Sequence, residues 1–229
     1  MKSRQAGFTL VEIAIVLVII GLLLGGVLKG QELINSAKVK NFATDFRNIP
    51  LFIYGYQDKY KALPGDHDST RLAAAISGAT AATTPASGAR GNGVIEGAWN
   101  SNVPTDESIL FWQHVRLAGL SAGPTTAPAN AAAIETFRPT NSDGGIIGIT
   151  SGQNTPITGM GGTYIVCSQG ILGKYAKQLD TTLDDGNTAT GSVRTMPTQA
   201  LNQTTAVSAL ASSATTWDDA ASYTVCMSL

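Results

Sequence analysis

Sixteen consecutive residues, Ile13 to Leu28 (IAIVLVIIGLLLGGVL), carry no charge. Counted from Phe8, the apolar stretch is 21 residues long. A helix needs about 20 such residues to cross a bilayer. Lys2 and Arg4 precede the run. The positive-inside rule therefore keeps the N-terminus in the cytoplasm and exports the remainder of the chain. The charge balance divides at the same end of the chain. Residues 1–61 hold eight Lys/Arg and four Asp/Glu, a net of +4, while residues 62–229 hold seven and twelve, a net of −5. The whole chain of 229 residues sums to −1. That balance excludes a generally basic nucleic-acid binder and an acidic tail protein. Hydrophobic residues make up 43% of the sequence, so composition argues against a disordered chain.

Glu12 is the anomaly of the N-terminal segment. An ionised carboxylate inside an apolar span costs roughly 2.5–3.5 kcal/mol on insertion scales unless it finds a partner. A plain membrane anchor explains the length of the run and its basic flank, but not this acid. A cleavable secretory signal has a shorter apolar core and then a small-residue cleavage site. Gly25-Gly26-Val27-Leu28-Lys29 is a poor match to such a site.

Gly7-Phe8-Thr9-Leu10-Val11-Glu12 followed by an apolar helix resembles the class III signal of type IV pilins and type II secretion pseudopilins. The resemblance implies that a prepilin peptidase cuts after Gly7, releasing the leader 1–7, and methylates the new amino terminus on Phe8. The short basic leader is closer to the type IVa and pseudopilin pattern than to the longer type IVb leader. The resemblance further implies that Glu12 neutralises the Phe8 ammonium of an adjacent subunit during assembly. Paired charges are tolerable in an apolar medium where a lone one is not. Glu12 and Phe8 then act as a register device, with no catalytic part.

Beyond Leu28 the apolar residues Leu33, Ala37, Phe42, Phe46, Ile49, Ile53 and Tyr56 recur at spacings of three to five. Charges lie between them, which is the pattern of an amphipathic helix. One helix is expected from about Phe8 to Lys61, 54 residues or roughly 80 Å at 1.5 Å per residue. Its parts are a transmembrane or filament-core segment, 8–28, and an amphipathic continuation, 29–61. Pro50 removes one backbone donor and crowds the Phe46 carbonyl, so a kink is expected there. Leu63-Pro64-Gly65-Asp66 is a turn signal that stops the helix.

Residues 62–229 form the head. Asp106–Gly119 is expected to be a helix with Asp106 as its capping acid, and Ile171–Leu183 another. Candidate strands are Ile146–Ser151, Thr163–Ser168, Ser192–Met196 and Tyr223–Ser228. Ala79–Ala89 and Ala122–Ala133 read as loops, and Thr198–Thr216 as a surface excursion. The order points to an α+β fold in which a sheet packs on the exposed face of the long helix. The pilin resemblance implies the same type IV pilin-like architecture, with an antiparallel sheet.

The two cysteines, Cys167 and Cys226, sit in repeated Tyr-x-Val-Cys strings on predicted strands. An exported head permits oxidation. A bridge encloses 58 residues, worth roughly 3–5 kcal/mol in the chain-entropy model. Two buried thiols are the alternative. A C-terminal disulfide loop of this kind resembles that of many pilins. Inside it, Asp180, Asp184 and Asp185 offer oxygen ligands at short spacing, and some pseudopilins hold calcium with such groups. The string does not match an EF-hand, and Asp-Gly with Asn is equally the chemistry of a plain turn. The turn is preferred and no metal or cofactor is expected, with calcium as the alternative. Asp66-His67-Asp68 could suggest a metal, but two acids and one His in a loop read rather as solvated, and Gly91–Gly97 resembles a phosphate loop only superficially. His67 reads as a surface residue and His114 as a partly buried helix residue.

No G-x-S-x-G, G-x-x-x-x-G-K-[ST], H-E-x-x-H or C-x-x-C string occurs. An enzyme is therefore not expected. The expected function is a pilin-like structural subunit, processed, N-methylated and polymerised into an extracellular helical filament of identical copies. Its partners by resemblance are the prepilin peptidase, the inner-membrane platform and the assembly ATPase. It sits in the inner membrane as a single span before assembly. The alternatives are a pseudopilin of a periplasmic type II secretion pseudopilus and a minor or tip pilin with a binding head. The net −5 of the head disfavours nucleic acid as a partner.

Overall fold

The computed structural model describes Gly7 and residues 9–84 and 90–229. The chain divides into two units, residues 1–38 and 39–229. Helix α1 (Leu10–Tyr60) begins in the first and ends in the second. Helical backbone continues through Pro50, and Lys61 ends the helix by taking a φ of 54°.

Within the first unit, the apolar side chains of α1 have no cover. The best 18-residue apolar window of the helix is 0% buried. Leucine, isoleucine and valine from Leu10 to Leu28 all stand exposed. Apolar patches much beyond a few hundred Å² are rare on monomers and mark surfaces that meet lipid or protein.

In the second unit, Val39, Phe42, Ala43, Phe46, Ile49, Ile53 and Tyr56 are buried on one face of α1. Their spacing of three and four is the helical repeat, so one stripe faces the core. Four strands, β1 (Ile147–Ser151), β2 (Tyr164–Leu172), β3 (Val193–Pro197) and β4 (Ser222–Ser228), form an antiparallel sheet in the order β1-β2-β4-β3. Val166, Ile171, Val193 and Val225 share a core cluster with the α1 stripe. Each large side chain buried there contributes about 1.5–3 kcal/mol. The alternate residues Ile165, Cys167, Met196 and Cys226 belong to a second cluster, completed by Trp99, Ile157 and Met160. Side chains alternate across a strand, so the sheet is covered on both faces. This is the α+β, type IV pilin-like arrangement expected.

Three further helices complete the head: α3 (Glu107–Leu117), α4 (Ala131–Phe137) and α5 (Gly173–Leu183). A short α2 (Ser69–Ala75) precedes them. Neither α2 nor α4 was legible as a helix, and α4 begins inside the stretch read as a loop. Both are seven residues long and rest on single caps. Asp68 accepts from the N–H groups of Thr70 and Arg71, and Asn130 from that of Ala133. Strand β2 runs four residues past the expected end, taking Ile171 and Leu172 from the expected helix. A register shift between Ser168 and Ile171 lets the strand resume pairing with β4.

Two local expectations are corrected. Asp106 stands at the N-cap position of α3 but makes no cap bond. Its carboxylate instead accepts from Ser101 Oγ and Thr84 Oγ1, both at 2.5 Å, joining the loops before the helix. Asp66 and His67 are not solvated; each is 2% exposed. The Leu63–His67 turn is packed into the head because its polar groups find partners. Gly65 has a φ of +89°, and a Cβ there would collide with the Glu107 carbonyl oxygen. Only glycine fits both demands. The Tyr56 hydroxyl bonds His67 Nδ1 at 2.9 Å, fixing the turn to the end of α1.

Candidate functional site

The start of α1 is a complete capping box. Thr9 precedes the first helical residue, Leu10. Glu12 Oε2 accepts from Thr9 N at 2.8 Å and from Thr9 Oγ1 at 2.7 Å. In return, Glu12 N donates to Thr9 Oγ1 at 3.3 Å. Reciprocal bonds of this kind satisfy two of the orphan donors of a helix N-terminus. A carboxylate in the first turn also meets the positive end of the helix dipole. In the single chain, then, Glu12 already has partners of its own. The T-x-x-E spacing before the apolar run is the signal for this second role, which the cost of an intramembrane charge does not reveal.

Gly7 is exposed, and Phe8 lies outside the described residues, as does the leader before Gly7. Around them the site consists of a basic N-terminal sequence, a capped helix start, one acid and an uncovered apolar helix. Residues 2–28 match the family described as the prokaryotic N-terminal methylation motif. The chain carries a class III prepilin-type signal. A signal of this kind is the one a prepilin peptidase processes, and the helix that carries it is long and apolar enough to cross a membrane. No curated protein and no solved structure matches the chain. The prepilin signal thus covers the helix start, and the head is read from its own geometry.

In the head of this prepilin-type chain, Cys167 and Cys226 form a disulfide. They are directly opposed residues of β2 and β4. Both are fully buried in the cluster on the sheet face away from α1. The bridge therefore staples two neighbouring strands.

The acidic loop does not converge. Asp184 Oδ2 accepts from Val193 N at 2.8 Å, and Asp185 accepts from Asn187 N and Thr190 Oγ1. These are turn bonds. Asp180 is buried in α5, and burial, with Asp185 and Asp184 nearby, raises its carboxyl to about 6, against a backbone bond from Gly186. Among the described residues one trio of carboxylates does converge, and of its members the sequence suggested only Asp66, with His67 and Asp68 as its partners. Asp66, Glu96 and Glu107 bring one oxygen each to within 4.8 Å of the others. They come from three separate segments, so no spacing rule reveals them.

Proposed function

We propose that the chain is a structural filament subunit. Prepilin peptidase cuts it after Gly7 and methylates Phe8, and the segment from Phe8 to Leu28 carries it into a helical filament outside the cell. The observation that supports this most is the uncovered apolar helix within the methylation-motif match, 0% buried over its best span. Such a surface has two homes, the bilayer before assembly and the helices of other copies after it. In the family's assembly scheme a platform and an ATPase drive that transfer. Pro50 lacks the N–H that the Phe46 carbonyl would accept and is where the helix bends. The head then sets the outer surface of the filament.

Glu12 serves twice in this reading. In the single chain it caps its own helix through Thr9. On assembly it meets the Phe8 ammonium of a neighbour, a pairing that fixes the axial register of one copy against the next.

The test is shear fractionation of the native host, with peptide mass spectrometry of the N-terminus. Abundant sheared protein that begins at methylated Phe8 supports the filament subunit. Processed protein retained in the envelope favours a pseudopilus or a scarce minor subunit instead. An intact Met1–Gly7 leader in both fractions overturns the processing itself.

A further inference from the structure

The three converging carboxylates tie together separate parts of the head. Asp66 lies in the turn after α1, Glu96 in the loop that follows Arg90, and Glu107 at the first position of α3. Asp66 is held by backbone donors. Its Oδ1 accepts from Gly91 N and Asn92 N, and its Oδ2 accepts from Gly93 N at 2.7 Å. Such donors favour the ionised form. Glu96 Oε1 accepts from Asn92 Nδ2 at 2.9 Å, and Glu107 Oε2 accepts from Glu96 N at 2.9 Å.

Two oxygens remain. Glu96 Oε2 and Glu107 Oε1 are buried and meet no donor. Glu107 as a whole is 0% exposed. An orphaned carboxylate oxygen costs the full desolvation of the group, so native structures rarely leave two together. Burial first, and then the neighbouring acids, push the Glu107 carboxyl upward; burial does the same to Asp66 against its three backbone bonds. Among the described residues no basic side chain acts on either. None of the three carboxylates is in an ion pair among the described residues.

We propose that Asp66, Glu96 and Glu107 hold a divalent cation, calcium: Glu96 Oε2 and Glu107 Oε1, which meet no donor in the chain, with an Asp66 oxygen that keeps its backbone bonds as the third ligand. Three carboxylates with no nitrogen or sulfur are the ligand set of a hard cation. Calcium–oxygen bonds of about 2.4 Å place opposite ligands about 4.8 Å apart. Three oxygens that all lie within 4.8 Å of one another fit one such shell. Of the three, Asp66 also lines a cavity of about 830 Å³, together with Lys61, Arg71, Arg90 and Tyr164. The bound ion would join the turn after α1, the loop at Glu96 and the start of α3 into one rigid corner. It stands apart from the filament reading, since none of its ligands belongs to α1.

The experiment uses the full chain, purified in detergent and stripped with a chelator, in equilibrium dialysis against radioactive calcium. A parallel thermal melt follows tryptophan fluorescence. The expected result is one calcium per chain, with an affinity on the order of 10⁻⁴–10⁻³ M as in extracellular modules. Saturating calcium is expected to raise the Tm by about 5 °C. Glu107→Gln keeps the shape but removes the charge, and weakens binding by about tenfold or more. Glu96→Gln, at a less buried position, does the same and serves as the measure if Glu107→Gln does not fold. Asp180→Asn leaves binding unchanged. Three results overturn the proposal: no stoichiometric calcium at millimolar concentration, binding that survives both Glu107→Gln and Glu96→Gln, or binding lost in Asp180→Asn. A Tm that ignores calcium but rises in Glu107→Gln also overturns it, by showing that a proton shared between Glu96 and Glu107 relieves the trio instead.

Discussion

His114 Nδ1 accepts the Gly65 N–H at 2.9 Å, and that single bond fixes the tautomer of the ring. The proton must then sit on Nε2, which donates to the Thr80 carbonyl at 2.9 Å. A second proton on Nδ1 would displace the Gly65 N–H. Burial, with only the Thr80 bond acting the other way, lowers the pKa of His114 from 6.5 to about 4. Its neutral form is thus favoured in the folded state. The stability it contributes is complete above pH 6.5 and is lost as pH falls through 6.5 toward 4. The largest loss from this group is about 3 kcal/mol. Urea midpoints at pH 7 and pH 4.5 are expected to show the fall, and His114→Gln to flatten it while lowering stability at pH 7. An unchanged slope in that variant would remove His114 from the acid response.

Gly65 is the other half of that contact. An alanine there meets a positive φ and a carbonyl oxygen in the space its Cβ would take. Gly65→Ala is expected to destabilise the head by about 2 kcal/mol or more. Gly78 also has a positive φ, of 80°, but nothing lies within 4 Å of its Cβ. Gly78→Ala should therefore cost less than Gly65→Ala in the same denaturation series.

The disulfide gives a third expectation. Cys167→Ser with Cys226→Ser removes a staple between β2 and β4, at a cost of about 2–5 kcal/mol. The readout is the denaturation midpoint of the oxidised chain against the double variant. Treating the wild type with a reductant should reproduce most of the shift. If the reduced wild type melts like the oxidised protein, the bridge contributes nothing to stability.

Glu12 is best separated by two substitutions. Glu12→Ala is expected to leave the leader cut but to block incorporation into filaments. Glutamine at this position can still complete a capping box, because the motif accepts either residue. It carries no charge. Glu12→Gln is therefore expected to be cut normally and to fail in assembly like Glu12→Ala. Normal filament yield from Glu12→Gln, with loss in Glu12→Ala, would assign Glu12 to helix capping alone.

Much of the fold was legible because its strongest signals are long and periodic. The apolar run, the stripe from Phe42 to Tyr56 and the four strands each repeat a pattern over many residues; Leu33 and Ala37, expected on the same stripe, are exposed. The cysteines were legible because two strings of the same form end in them. The misses are local or non-local in a specific way. Helices α2 and α4 are too short for periodicity and depend on Asp68 and Asn130 as caps. Asp106 has a cap's position, yet loop hydroxyls claim its side chain. Asp66, Glu96 and Glu107 lie 30 and 11 positions apart in sequence. Only the packing of the Leu63–His67 turn under α3 brings them together. His67 looked like a surface residue because its partner, the Tyr56 hydroxyl, sits one helical end away.

The strand order β1-β2-β4-β3 has a temporal consequence. Strand β3 is paired only with β4, which is made last of the four strands and lies between β2 and β3. A ribosome that has made everything up to residue 221 has made a hairpin of β1 and β2, a strand with no neighbour, and one cysteine of a pair. The sheet's inner seat is still vacant at that moment. A chain stopped before residue 222 therefore lacks the strand that joins β2 to β3 and the staple together.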